Sequence, residues 1–146
     1  MTESLCVIQN LNHVCLAVND IEETLDFYQK TFGIERPEVK YLEDQAVLAA
    51  LVSIGGSQLE FIQPTDPDSG VAKFINNRGE GMHHICFEVE NLSEKLKIFS
   101  GAGVKLIDQM PRDGLSGQIA FIHPKSTRGV LVELVDKSST VRDKTC

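Results

Sequence analysis

Two histidines and two glutamates, His13, His84, Glu60 and Glu133, are the side chains of this 146-residue sequence whose types and spacing suit chemistry. His13 stands in Asn12-His13-Val14-Cys15-Leu16-Ala17-Val18-Asn19-Asp20-Ile21. The unit returns 71 positions later as His83-His84-Ile85-Cys86-Phe87-Glu88-Val89-Glu90-Asn91-Leu92. The same offset carries Leu25 onto Leu96 and Tyr28 onto Phe99. Near the end of each copy an acid interrupts an apolar run: Glu60 in Gln58-Leu59-Glu60-Phe61-Ile62, and Glu133 in Val130-Leu131-Val132-Glu133-Leu134-Val135. A duplicated unit that supplies one imidazole and one carboxylate per copy builds a four-donor site if a pseudo-twofold axis relates the copies. Such donors suit an octahedral divalent ion (Co²⁺, Mn²⁺, Ni²⁺, Fe²⁺ or Zn²⁺) with two positions left for water or substrate. A closed structural zinc site would instead be rich in thiolates. The simpler alternative, packed histidines and solvated glutamates, fits Glu133 poorly. Leu131 and Val135 share its strand face, where an unpaired carboxylate is costly to bury.

Positioning these groups falls to strands and helices that the hydrophobic pattern marks out. Residues 11–18 alternate, placing Leu11, His13, Cys15 and Ala17 on one face and Asn12, Val14, Leu16 and Val18 on the other. Residues 82–89 repeat this, with Met82, His84, Cys86 and Glu88 opposite His83, Ile85, Phe87 and Val89. The bulky face is expected to pack on a helix and the histidine face to line a cavity. By the same alternation His83 points to the helix side and reads as structural. Asp20-Ile21-Glu22-Glu23 and Asn91-Leu92-Ser93-Glu94 resemble capping boxes. The stripe Ile21, Leu25, Tyr28 and Phe32 ends at Gly33, and the matching stripe Leu92, Leu96 and Phe99 ends near Gly101 and Gly103.

Extended segments follow each helix: 46–54 and 57–63 joined at Gly55-Gly56, then 117–123 and 129–135 joined around Pro124 to Arg128. Weaker strands are expected near 36–42 and 104–108. The fold class is therefore α+β, with two tandem β-α-β-β-β modules. Module one covers about 8–64 and module two about 80–136. The linker at 65–79 opens with the turn-rich Pro64-Thr65-Asp66-Pro67-Asp68-Ser69-Gly70 and continues as a short helix with Val71, Phe74 and Ile75 inward. The polar tail 137–146 carries no pattern. Modules of about 55 residues are marginal alone, so a single domain is expected.

The net charge of −7 and the lack of a basic stripe argue against nucleic acid. No apolar run approaches membrane-spanning length, and no signal-peptide pattern opens the chain. Cysteines 6, 15, 86 and 146 form no CxxC pair, and Cys15 and Cys86 suit reduced, packed thiols in a cytoplasmic protein.

Three segments carry a family resemblance: 12–18, 81–89 and 119–134. The last contains the His123-Pro124-Lys125-Ser126 turn followed by Gly129-Val130-Leu131-Val132-Glu133-Leu134. Over essentially residues 10–136 the chain resembles the vicinal oxygen chelate superfamily, and within it the methylmalonyl-CoA epimerases. The resemblance implies the superfamily's glyoxalase-like fold, in which the two modules form a partly open, metal-binding barrel. The resemblance implies a metal held by His13, Glu60, His84 and Glu133, chelated by the thioester carbonyl oxygen and carboxylate of an acyl-CoA substrate. It implies epimerisation of methylmalonyl-CoA through an enolate. Exchange of a proton between two faces of one carbon needs a donor or acceptor on each. Glu133 is the first candidate, and the second is Glu60 or a metal-bound water. Some epimerases place a base on the strand corresponding to Ala46–Val52, where this chain has no ionisable group. The family's Gly-Ala-His-Gly loop is altered here to Gly114-Leu115-Ser116-Gly117, with Ser116 and Gly117 assigned to the substrate carboxylate. Lys125 and Ser126, with Arg128 beside them and Lys73 as a weaker candidate, suit phosphates or that carboxylate, the alternative being a solvated basic loop with no ligand. The expected assembly is a homodimer.

Three rivals share the fold. A glyoxalase I-type isomerase uses the same His, Glu, His, Glu set on a glutathione hemithioacetal, but more often carries an Asp-Pro-Asp-Gly turn where this chain has His123-Pro124-Lys125-Ser126. An Fe²⁺ extradiol dioxygenase needs two histidines and one glutamate, so a ligating Glu60 counts against it. A metal-free binding module would have no use for four intact ligands.

Overall fold

The computed structural model describes residues 3–136. The expected tail and Cys146 lie outside them. The chain divides into two compact units: His13–His83, and the residues up to Asn12 together with those from His84 onward. Each unit repeats one β-α-β-β-β plan.

In the first, β1 (Asn10–Ala17) leads into α1 (Ile21–Phe32), followed by β2 (Lys40–Leu42), a 3₁₀ turn at Glu43–Gln45, β3 (Val47–Ile54) and β4 (Ser57–Pro64). The strand order is β2-β3-β4-β1, with β1 parallel to β4 and the other pairs antiparallel. The linker helix α2 (Gly70–Arg78) comes next, capped by the Ser69 hydroxyl accepting from the Ala72 amide at 3.2 Å. In the second unit β5 (Gly81–Val89) leads into α3 (Leu92–Gly101), β6 (Arg112–Gly114), β7 (Gly117–Ile122) and β8 (Val132–Asp136). The order β5-β8-β7-β6, with β5 parallel to β8, mirrors the first.

Packing follows the alternation. Leu16 on the bulky face of β1 joins Ile21, Leu25 and Tyr28 of α1 and Phe61 of β4. Ile85, Phe87 and Val89 of β5 join Leu92, Leu96 and Phe99 of α3. Leu25, Ile21, Leu92 and Leu96 are wholly buried, each worth about 2 kcal/mol of hydrophobic transfer. On the histidine face of β1, Cys15 and Ala17 pack with Val47, Ala49, Ile62 and Ile75.

Three expectations need correction. Residues 104–108 form no strand; Leu106 makes an isolated bridge to Ile122, and the edge strand β6 lies later, at Arg112–Gly114. The segment still lies along β7, with the Ile107 and Asp108 amides donating to the Phe121 carbonyl and the His123 amide to the Lys105 carbonyl. The Phe121 amide, however, is taken at 2.8 Å by the Asp108 carboxylate, which interrupts a regular ladder. The capping boxes also diverge. Asp20 caps α1 by accepting from the Glu23 amide at 3.0 Å, but Asn91 takes a left-handed conformation (φ 53°) and makes no capping bond. The Leu92 amide instead donates to the Asp136 carboxylate at 3.1 Å, just as the Ile21 amide donates to the Gln63 side-chain oxygen at 2.8 Å. In both units the first amide of the helix is thus tied to the residue three places beyond the strand glutamate. Residues 129–131, expected in the last strand, precede it. Among the described residues no helix is long and apolar enough to cross a membrane.

Candidate metal centre

Burial of polar groups is costly unless they are paired, so where the fold accepts that cost is informative. Among the described residues the buried polar or charged side chains are His13, Glu60, His84 and Glu133, each 6–7% exposed. Everything else buried is apolar or small.

Each unit brings its own pair together. In the first, the parallel β1–β4 register sets Cys15 opposite Glu60, with His13 two residues away on the same face. His13 Nε2 lies 3.6 Å from Glu60 Oε1. In the second, the β5–β8 register sets Cys86 opposite Glu133, and His84 Nε2 lies 3.5 Å from Glu133 Oε2. Duplication of the sequence unit has become duplication of geometry.

The donor set fits a divalent cation. Two atoms each about 2.1 Å from a common ion stand roughly 3–4 Å apart, which both pairs satisfy. Burial lowers the His13 pKa to about 4, so its imidazole is neutral near pH 7 with a lone pair available to ligate. Burial pushes the Glu60 carboxyl up from its ordinary value, partly offset by a hydrogen bond from the Cys15 thiol. A buried carboxylate strained in this direction gains from a nearby cation.

Neighbouring groups shape the second pair. The Phe121 ring, opposite Glu133 in the β7–β8 register, meets the His84 ring edge to face at 5.4 Å. The Arg112 guanidinium lies over the Phe121 ring, 5.3 Å from its centroid, and pairs with Asp108 at 3.3 Å. Glu88 shares the His84 face by alternation, but its carboxylate accepts the amides of Asn10 at 3.0 Å and Asn12 at 2.9 Å. His83 packs edge to face on Phe74 of α2 at 4.9 Å, and burial lowers its pKa, in keeping with a structural role.

The residues assigned to substrate are spread out. Ser116 and Gly117 form the β6–β7 hairpin, whereas Lys125 and Ser126 occupy the exposed turn after β7. The length of β7 separates them by roughly 20 Å. Ser126 has structural work as well: its hydroxyl accepts the Lys105 amide at 2.8 Å. Sequence reasoning missed Phe121, Arg112 and the Cys15 contact to Glu60. Only the last left a signal, since Cys15 shares the His13 face.

These features define a class. A family model, the Glyoxalase/Bleomycin resistance protein/Dioxygenase superfamily, matches residues 12–121, and the chain belongs to that superfamily. It is 34% identical over 136 residues to the mitochondrial methylmalonyl-CoA epimerase of Homo sapiens, covering 92% of this chain and 77% of that protein. It also superposes on a single-residue variant of the Streptomyces coelicolor methylmalonyl-CoA epimerase in complex with 2-nitronate-propionyl-CoA. That match has a TM-score of 0.83 and 34% identity, covering 89% of this chain and 95% of that one. Within the superfamily, the chain belongs to the methylmalonyl-CoA epimerase family. An uncharacterized protein of Bacillus subtilis, YqjC, is 40% identical over 88% of this chain and 93% of its own length.

Proposed function

We propose that the chain is a divalent-metal-dependent methylmalonyl-CoA epimerase in which His13, Glu60, His84 and Glu133 share one ion. The observation that carries this reading is the burial of two imidazoles and two carboxylates, paired at 3.6 and 3.5 Å, in a chain of the epimerase family. When bound, the ion supplies a Lewis acid for the thioester carbonyl oxygen and the substrate carboxylate, which makes the C2 proton easier to remove.

Proton traffic falls to the carboxylates. β3 holds no ionisable side chain, so the buried carboxylate of the first unit is Glu60. Glu133 is its counterpart in the second. One accepts the C2 proton as the C2–H bond breaks and its electron pair spreads into the enolate. The other delivers a proton to the opposite face, re-forming C2–H with inverted configuration. The neutral His13 ring holds its lone pair for the ion, and His84 is kept in place by Phe121. Lys125 and Ser126 suit the phosphates of CoA, and Ser116 with Gly117 the substrate carboxylate; their separation along β7 suits a long acyl-CoA. The enzyme is read as a cytoplasmic homodimer, for which light scattering should give twice the chain mass.

Deuterium incorporation at C2 of methylmalonyl-CoA in D₂O, run in parallel with glutathione hemithioacetal turnover, tests the substrate. Exchange with the thioester and none with the hemithioacetal is expected. Robust hemithioacetal isomerisation without C2 exchange would move the chain to the glyoxalase I-type alternative.

A further inference from the structure

Cys15 is wholly buried on β1, two residues from His13 on the same face, and directly opposite Glu60 in the parallel register. Its thiol donates to the Glu60 carboxylate. The second unit repeats the placement, with the wholly buried Cys86 opposite Glu133. A glutamate side chain turns about three bonds, and a ligating one must give up that freedom when it takes a metal. A donor already resting on the carboxylate removes part of this loss beforehand and leaves the remaining oxygen lone pairs for the ion. Val47, Ala49 and Ile62 pack with Cys15 in one buried apolar cluster, which fixes the thiol in place.

We propose that Cys15 is a positioning residue whose thiol holds the Glu60 carboxylate ready to ligate a divalent ion, without itself being a ligand. The inference rests on the metal reading above and adds a role that the four ligands alone do not require. It predicts that the hydrogen on sulfur matters, not the sulfur as a donor to metal. Serine should therefore substitute and alanine should not.

Calorimetric titration of the metal-free protein with Co²⁺ tests this with four variants: Cys15→Ala, Cys15→Ser, Glu60→Ala and the double Cys15→Ala/Glu60→Ala. Cys15→Ala should bind Co²⁺ about tenfold more weakly, and Cys15→Ser should stay within roughly threefold of the original chain. The alanine effect should vanish in the Glu60→Ala background, because the thiol acts through that carboxylate. The Co²⁺ form of the original chain should lack thiolate-to-cobalt charge-transfer absorption in the near ultraviolet. Equal affinity for Cys15→Ala and the original chain would overturn the inference while leaving the metal reading intact. So would an alanine loss that persists without Glu60, or a thiolate band, which would make Cys15 a ligand. If Cys15→Ala does not fold, the serine variant and the spectrum of the original chain still decide. Failure of the original chain to bind Co²⁺ at all would remove the metal reading and this inference together.

Discussion

Glu133 has two tasks in the proposed reaction, and they separate chemically. As a ligand it needs one oxygen near the ion; as a base it needs a lone pair able to accept the C2 proton. Glu133→Gln keeps size and one ligating oxygen but abolishes the basicity. The variant should retain Co²⁺, with weaker affinity, and lose C2 exchange by about 100-fold or more for at least one epimer. Unchanged exchange in the fully metallated variant would leave Glu133 as a ligand only. Glu60→Gln should likewise keep metal while lowering activity. His13 gives a different test, in the metal-free protein. The unfolded chain protonates this imidazole near its ordinary 6.5, whereas the fold resists until about 4. Stability due to His13 is therefore full above pH 6.5 and is lost as pH falls through about 4, amounting to about 3 kcal/mol. Glu60 works in the opposite sense: its raised value favours the fold at low pH, a contribution lost as pH rises. Comparing the original chain with His13→Gln isolates the imidazole. The gap between their denaturation midpoints should narrow on acidification from 6.5 to 4, and a gap independent of pH would contradict the account.

At the scale of elements, the ties from Gln63 to Ile21 and from Asp136 to Leu92 connect each glutamate-bearing strand to the start of a helix. Asp136→Ala removes a charged cap and should cost about 1 kcal/mol, read as a lower urea midpoint. Asn91→Gly should be neutral or slightly stabilising, since Asn91 contributes no capping bond and sits at φ 53°. A larger loss from Asn91→Gly than from Asp136→Ala would reverse this assignment. These ties also show where sequence reasoning stops. The burial of His13, Glu60, His84 and Glu133 and their pairing within each unit were legible because a repeat supplies one of each per copy and alternation fixes the faces of the histidines. The helices around Leu25 and Leu96 were legible from their apolar stripes. Asn91 misled, because a capping box is a local pattern, whereas the start of α3 is held at the Leu92 amide by Asp136, 44 positions away. β6 misled because three residues at a sheet edge, two of them exposed, carry no period, and the Asp108 carboxylate that interrupts the expected strand accepts the Phe121 amide 13 positions away. The Cys15 contact to Glu60 depends on strand register, which alternation alone does not give.

Over the whole molecule, duplication would account for how a chain of this size holds the proposed four-donor site. Each unit supplies a complete His–Glu pair, so neither needs a long functional loop. Units this small are marginal alone, and an ion shared between them would couple their stabilities. Thermal unfolding should be a single transition whose midpoint rises with Co²⁺. Two transitions, only one of them moved by metal, would mean that one pair binds by itself. The most direct test of the central claim is the rate of C2 deuterium uptake by methylmalonyl-CoA in D₂O, measured by NMR as Co²⁺ is titrated into metal-free protein. The account predicts negligible exchange without metal, a linear rise with added Co²⁺ and a plateau at one ion per chain. Full exchange in the metal-free protein, or a plateau reached only at two ions per chain, would contradict it.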